Sequence, residues 1–153
     1  MELDEREVRA ILGHAMVARI ATLSRSGRPS VTPLYFVAPR GRIWLGTADW
    51  TLAARDVRAD PHASVLINAE RDPADRRVVR VVGAASLRTD LQTQAEYVLR
   101  VALKYSLTLG QVRNTLGHWR LIALRRRYHA QSAAKGRACV IEVVPERVEL
   151  IDG

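Results

Sequence analysis

Short segments of alternating apolar and polar residues, bounded by Gly, Pro, Asp or Ser, run through most of this chain and restrict its fold more than any other feature. Strands are predicted at residues 17–23, 30–37, 42–47, 62–68, 77–87, 137–144 and 148–151. Helical spacing interrupts them at two places, which is not the regular alternation of strand and helix that builds a parallel sheet. The pattern therefore predicts an α+β, mainly β fold: a six- to seven-stranded antiparallel split β-barrel with flanking helices.

The helical segments have apolar residues at three- and four-residue spacing. Helices are predicted at residues 3–14, 51–59, 90–105 and 112–128, and the second of them begins near Thr51 or Asp49. Gly83, inside the strand at residues 77–87, predicts a bulge. Because no repeat, low-complexity tract or linker divides the sequence, we expect one domain over residues 1–153.

The net charge of +8 raises the question of a nucleic-acid partner. The arginines are interspersed with Asp and Glu, however, Arg125–Arg127 is their one run, and aromatic residues that stack on bases make up 5% of the chain. This pattern speaks against nucleic-acid binding. It favours a solvated surface on which some arginines attract a small anionic ligand.

The cysteine and histidine residues restrict which kinds of nucleophile and metal site the chain can form. The one cysteine, Cys139, stands in an apolar run and is predicted to be a small buried side chain and not a nucleophile. The four histidines have no spacing typical of a zinc site, so no metal is expected. The N-terminal residues are acidic where a signal peptide is basic, and no segment approaches the ~20 apolar residues that span a bilayer, so we expect a cytoplasmic protein outside the membrane.

Several motifs in a fixed order resemble the pyridoxamine 5′-phosphate oxidase-like split-barrel family. They cover about residues 8–88, with a closing strand at residues 140–148. The motifs are Ala18–Leu23, Gly27–Pro29, Val31–Phe36, Ile43–Thr47 and Ala54–Val65. Each motif alone is weak, but their order and spacing are specific for the fold.

The resemblance implies a cofactor and an assembly. The family places FMN, or the deazaflavin coenzyme F-420, in a groove between the subunits of a homodimer, with the ring on the backbone that corresponds here to Pro33, Leu34 and Tyr35. It therefore implies a flavin- or deazaflavin-dependent oxidoreductase that acts on a small organic substrate. No catalytic residue is assigned, because a flavin supplies its own reactivity.

The cofactor phosphate needs hydroxyl or backbone donors and fixed positive charge, and a strand that leads into a helix offers both. Residues 46–51, which include Trp50, form such a junction. Thr47 and Thr51 offer hydroxyls, Arg55 offers a guanidinium, and Arg19 on the first strand is a further candidate.

One departure leaves the cofactor open. Family members commonly carry a Lys or an Arg-Lys pair where this chain has Leu52 and Ala53. The alternatives are a non-catalytic dimer that binds FMN or, less favoured, haem, and a cofactor-free structural or regulatory protein. The threonines equally fit a helix cap, and Arg55 also fits an exposed helix face. For Arg19 an outward strand position is favoured slightly over a ligand contact. A loosely matching Trp119 beside His118 and Arg120 fits an ordinary helix face, with Trp119 packed inward, better than a flavin contact.

A homodimer is also expected from the barrel itself. An incompletely closed barrel leaves open strand edges. Apolar strand residues such as Val79, Val81 and Leu87 are expected to exceed what a small barrel can enclose, which favours a symmetric partner.

Overall fold

The computed structural model describes residues 1–109 and 137–153. In this part of the chain seven strands and three α-helices are present, together with a short 3-10 helix at Pro39–Gly41. The strands are β1 (Ala18–Leu23), β2 (Pro29–Leu34), β3 (Phe36–Val37), β4 (Ile43–Ala48), β5 (His62–Asn68), β6 (Val78–Arg88) and β7 (Ala138–Ile151). The helices are α1 (Arg6–His14), α2 (Leu52–Ala59) and α3 (Leu91–Leu109).

All strands belong to one antiparallel sheet in the order β2-β1-β5-β6-β7-β4-β3. The first and last strands of this order, β2 and β3, are separated by the single residue Tyr35, so the sheet curls into a half-barrel. The predicted split-barrel fold is confirmed.

The barrel interior is filled by every second residue of the strands, as a sheet with one buried face requires. On β1 these residues are Ala18, Ile20 and Thr22, all at most 2% exposed. α1 covers one part of this core with Val8, Ile11 and Leu12, and α2 covers another with Ala53 and Val57. α3 packs on the opposite face of the sheet, against a small cluster of Val37, Trp44 and Val140. The sheet therefore has one face in the core and another that is only partly covered.

Gly83 marks an irregularity in the long pair β6 and β7. The register shifts between Val82 and Gly83, which confirms the predicted bulge. A side chain at Gly83 would overlap the backbone of Val144, so the close approach of the two strands here requires glycine.

The strand predictions differ from the structure in two places. The segment at residues 30–37 is two strands, because the chain breaks at Tyr35. The two segments at residues 137–144 and 148–151 are one strand, because β6 pairs with β7 on both sides of Pro145 and Gly83 faces the proline. The other predicted strands and the helices at residues 3–14, 51–59 and 90–105 are confirmed within a few residues.

Some predictions fall on residues outside the described part of the chain. These are the helix at residues 112–128, the segment His118–Arg120 and the arginine run Arg125–Arg127. None of the helices in the described residues is long and apolar enough to cross a membrane.

Candidate functional site

The end of β4 leads directly into α2, and two threonine hydroxyls meet at this junction. Thr51 caps α2, as predicted: its Oγ1 accepts a hydrogen bond from the Ala54 N–H at 3.3 Å and donates one to the Ala48 carbonyl at 2.9 Å. The Oγ1 atom of Thr47 lies 2.8 Å from that of Thr51. Because the Thr51 proton goes to Ala48, Thr47 is the donor in this pair. The chain itself therefore orders both hydroxyls.

Two arginines of α2 reach back to the same junction. Arg55 Nε donates to the Trp50 carbonyl at 3.1 Å, and Arg58 Nη1 donates to the Asp49 carbonyl at 2.8 Å. Helical side chains lean toward the N-terminus of their helix, which explains why both reach carbonyls that precede the cap. Both arginines are exposed, and the bond from Nε leaves the two terminal nitrogens of Arg55 for other acceptors.

The residue that precedes β7, Arg137, forms hydrogen bonds with the other side of the junction. The Asp49 N–H donates to the Arg137 carbonyl at 2.9 Å, and Asp49 Oδ1 accepts from the Arg137 N–H at 3.1 Å. Cys139 pairs with Thr47 across the two strands and is 2% exposed. Burial, and then the charge of Asp49, raises the pKa of the Cys139 thiol to about 11. The prediction of a buried cysteine is confirmed, and its thiol is protonated at neutral pH.

The backbone of residues 33–35, which we call the shelf, is the second part of the candidate site. The carbonyl of Tyr35 accepts hydrogen bonds from the Gly46 N–H at 3.2 Å and from the Tyr97 hydroxyl at 3.1 Å. A side chain at Gly46 would overlap the Tyr97 ring, so α3 approaches β4 this closely because residue 46 is glycine. Gly46 precedes Thr47, so the shelf lies directly beside the junction.

A second tyrosine of α3 holds the shelf from behind. The Tyr105 hydroxyl donates to the Met16 carbonyl at 2.7 Å, and the Phe36 N–H donates to that hydroxyl at 3.4 Å. The rings of Tyr35 and Tyr105 meet edge to face, with 5.1 Å between centroids and 75° between planes. Side chains of α3 thus fix the break between β2 and β3.

Arg19 lies on the outer face of β1, beside its register partner Pro33 on β2. Its Nη1 donates to Asn68 Oδ1 at 2.6 Å, and its Nη2 lies 3.5 Å from Glu70 Oε1. These bonds direct the guanidinium along β5. Arg19 therefore flanks the shelf, and within the described residues no hydrogen bond joins it to the junction.

A second group of arginines lies under α3, outside the predicted site. Glu142 on β7 is 5% exposed; it accepts hydrogen bonds from Trp44 Nε1 at 2.8 Å and Arg42 Nη1 at 3.0 Å, and Arg88 Nη1 lies 3.5 Å away. Burial alone would raise the pKa of the Glu142 carboxyl, but these donors and charges outweigh it and hold the pKa below its usual range. These residues line part of a cavity of about 190 Å³, the α3 depression.

The structure brings the eight predicted residues into two adjoining groups. The junction contains Thr47, Trp50, Thr51 and Arg55, and the shelf contains or adjoins Arg19, Pro33, Leu34 and Tyr35. Their binding roles stay predictions.

Arg58 and Tyr97 also contact the candidate site and were not predicted to do so. Arg58 has a signal, because it follows Arg55 by three residues and shares its helix face. Tyr97 has none, because it meets Tyr35 across 62 residues of sequence.

A family model described as pyridoxamine 5′-phosphate oxidase matches residues 4–152, nearly the whole chain. The chain belongs to this family. Among curated proteins, no sequence matches it significantly.

Solved structures similar to this family member include a conserved hypothetical protein from Mycobacterium tuberculosis, which is 19% identical with a TM-score of 0.69 over 97% of this chain and 84% of that one. An F-420 reductase is 18% identical with a TM-score of 0.62 over 92% and 94% of the two chains. A haem storage protein from Vibrio cholerae is 15% identical with a TM-score of 0.63 over 99% and 95%. At these identities the likeness shows the shared split-barrel fold.

The first turn of α2 lacks the basic side chains expected of the family. Leu52 is exposed but apolar, and Ala53 is fully buried in the core. The backbone N–H groups of these two residues have no acceptor within the helix, however, because they stand in its first turn. Together with the Thr47 hydroxyl and the Arg55 guanidinium they make a donor set of the kind that a phosphate accepts. The residues present therefore fit a phosphate without the family's lysine.

Proposed function

We propose that this chain binds a phosphate-bearing flavin or deazaflavin, FMN or coenzyme F-420, and uses it as an oxidoreductase on a small organic substrate. The observation that carries the proposal is the junction, where the Arg55 guanidinium is held at the Trp50 carbonyl, 3.1 Å away, beside the ordered hydroxyls of Thr47 and Thr51. Family membership and the adjoining shelf support the same ligand.

At the junction each residue has a defined task. The terminal nitrogens of Arg55 form a fork for two phosphate oxygens. Thr47 would donate its hydroxyl proton to the phosphate in place of Thr51, at the cost of one internal hydrogen bond, while Thr51 would remain the helix cap. The indole of Trp50, which is 38% exposed, covers the adjoining part of the ligand.

At the shelf the chain orients the ring. Pro33 and Tyr35 are exposed, and Leu34 anchors the strand by packing against the core. Because the Tyr35 carbonyl already accepts two hydrogen bonds, this backbone is fixed before a ring arrives. Arg19 adds positive charge at the shelf's outer edge. The bound flavin or deazaflavin supplies the hydride transfer.

We further propose that the protein is a homodimer, that residues 1–153 fold as one domain, and that it is located in the cytoplasm. The barrel encloses Val79 and Val81, which are 0% exposed, whereas Leu87 is only partly buried, so of the three residues expected to exceed the barrel's interior only Leu87 does. Within the described residues β2 is an edge strand, and the outer residues Val31 and Leu66 are 65% and 39% exposed, which supports a partner that covers this part of the sheet.

A second candidate is a binding protein without turnover that holds FMN or haem. The loss of positive side chains at Leu52 and Ala53 favours it, and so does the similar fold of a protein whose described role is haem storage. A chain without any cofactor is the remaining alternative.

Spectra and affinities separate these functions. The freshly purified protein is denatured, and the released molecule is examined by absorbance and mass. The apo protein is then titrated with FMN, the deazaflavin and haem. We expect Arg55→Ala to weaken flavin or deazaflavin binding by ~1.5–3 kcal/mol, about tenfold to a hundredfold, and Arg55→Lys to recover only part of it.

Arg126→Ala, a change in the arginine run of the sequence, serves as the control for a general effect of positive charge, which salt screens over about 8 Å. Equal affinity in the parent and Arg55→Ala, with loss in Arg126→Ala, would refute the junction as the phosphate site. Tight haem binding without flavin or deazaflavin binding would favour the second candidate.

A further inference from the structure

A depression of about 490 Å³ lies between α2 and the turn that joins β1 to β2. We call it the α2 depression. Arg55 and Arg58 line it from the helix, and Arg25 lines it from the turn. Leu52, which is 55% exposed, adds an apolar wall. Three arginines therefore line one concave surface.

Both helical guanidinium groups are held by main-chain carbonyls that precede α2. Arg55 Nε donates to the Trp50 carbonyl at 3.1 Å, and Arg58 Nη1 donates to the Asp49 carbonyl at 2.8 Å. These carbonyls belong to consecutive residues. Two positive charges are therefore anchored to neighbouring peptide groups of the junction.

No carboxylate in the described residues forms an ion pair with these three arginines. None of the three arginines has an acidic oxygen within salt-bridge distance there, whereas eight other arginines do: Arg19, Arg40, Arg42, Arg77, Arg80, Arg88, Arg100 and Arg147. The one acid in the wall, Asp56, is 2% exposed and accepts hydrogen bonds from the hydroxyls of Thr22 and Ser30, both at 2.8 Å. Its carboxylate is turned inward.

We infer that the α2 depression binds a ligand group with two adjacent anionic centres, of the diphosphate class, through Arg25, Arg55 and Arg58. A single phosphate is already satisfied by the fork of Arg55 and the junction donors. Arg58 and Arg25 then face a second anionic group that continues from the first. The inference deepens the proposed function, with which it shares Arg55, and it makes Arg58 and Arg25 determinants of ligand specificity.

Calorimetric titration of the full chain with inorganic phosphate and with pyrophosphate, at fixed ionic strength and without flavin, tests this inference. We expect pyrophosphate to bind at least about tenfold more tightly than phosphate. Arg58→Ala and Arg25→Ala each weaken pyrophosphate binding about fivefold to twentyfold, and Arg58→Lys recovers part of it.

Arg28→Ala is the matched control, because Arg28 is exposed on the same turn but does not line the depression. It is expected to leave pyrophosphate affinity unchanged. Equal affinity for the two anions, or equal losses in Arg28→Ala and Arg25→Ala, would overturn the inference, since a general surface field would then account for binding. Thermal unfolding without ligand confirms that each variant is folded.

The same variants separate this inference from the proposed function. If pyrophosphate binds as expected while FMN and the deazaflavin do not, the inference stands and the proposed cofactor is wrong. If a cofactor binds through Arg55 while Arg25→Ala and Arg58→Ala change neither pyrophosphate nor cofactor affinity, the proposed function stands and this inference is wrong.

Discussion

Two depressions on this barrel are rich in arginine, and they differ in what the arginines contact. In the α3 depression, Arg42 and Arg88 contact Glu142, and Arg40 contacts Glu96 at 2.7 Å. In the α2 depression Arg55 and Arg58 contact main-chain carbonyls, and no carboxylate of the described residues lies within salt-bridge distance of them or of Arg25. Each depression is lined by three arginines. Within the described residues those of the α3 depression form ion pairs with carboxylates, and those of the α2 depression do not.

The difference shows how to interpret a basic protein. Arginines that surround a buried carboxylate stabilise the fold, because removing an arginine leaves the buried negative charge less compensated. Exposed arginines that are ordered by carbonyls add little to stability, since neutral acceptors leave their charge in place. They are available to an anionic ligand. The net charge of +8 therefore has different functional meanings in different parts of the surface.

The largest effect is expected from Glu142→Ala. This change leaves Arg42, Arg88 and the Trp44 N–H without their common acceptor. We expect a loss of about 3 kcal/mol in the free energy of unfolding, measured with urea, and no change in ligand affinity at the α2 depression. A loss of ligand binding in a folded Glu142→Ala protein would show that the two depressions are not independent.

Gly46→Ala tests the contact between α3 and the shelf. The new methyl group would overlap the Tyr97 ring and push α3 away from the shelf. We expect a loss of about 2 kcal/mol in stability, together with weaker cofactor binding. The matched control is the pair of variants Tyr97→Leu and Gly46→Ala/Tyr97→Leu. If the double variant loses as much free energy of unfolding as the two single variants together, the Tyr97 ring is not what the new methyl group meets.

Lys104 on α3 is a half-buried cation. Its Nζ lies 3.5 Å from the centroid of the Phe36 ring and donates to the Leu12 carbonyl at 3.2 Å. Burial lowers the pKa of Lys104 to about 8. Between this value and the ordinary 10.5 the unfolded chain binds more protons than the folded one, so stability rises with pH in that window.

We therefore expect the parent to gain about 1 kcal/mol between pH 7.5 and 9.5 relative to Lys104→Met, measured by urea unfolding at each pH. The raised pKa of Cys139 makes stability fall with pH above 9.0, the ordinary value of a thiol. Because both proteins contain Cys139, this contribution cancels in the difference between them. Parallel pH profiles of the two proteins would show that Lys104 does not titrate in this range.

Local sequence predicted the elements that local chemistry determines. The Thr51 cap fixes the start of α2, His62–Asn68 is a strand with the predicted bounds, and Gly83 produces the bulge. In each case the residue that decides the structure stands in the segment itself.

The rest depends on contacts between distant residues. The break at Tyr35 is held by Tyr97 and Tyr105, which lie on a helix more than 60 residues later. The α3 depression depends on Trp44 and Glu142, which are 98 residues apart. Arg58 and Arg25 share a depression because the barrel brings α2 to the β1–β2 turn. Periodicity carries no information about such pairs.

The central claim is that the arginines of the α2 depression bind ligand and that those of the α3 depression support the fold. Thermal unfolding of Arg55→Ala and Arg42→Ala, with and without the bound cofactor or pyrophosphate, tests it in one experiment. We predict that Arg55→Ala changes unliganded stability by less than ~0.5 kcal/mol and loses most of the ligand-induced rise in Tm. Arg42→Ala loses about 1 kcal/mol of unliganded stability and keeps the full rise. The reverse pattern, with ligand stabilisation lost in Arg42→Ala and retained in Arg55→Ala, would contradict the account.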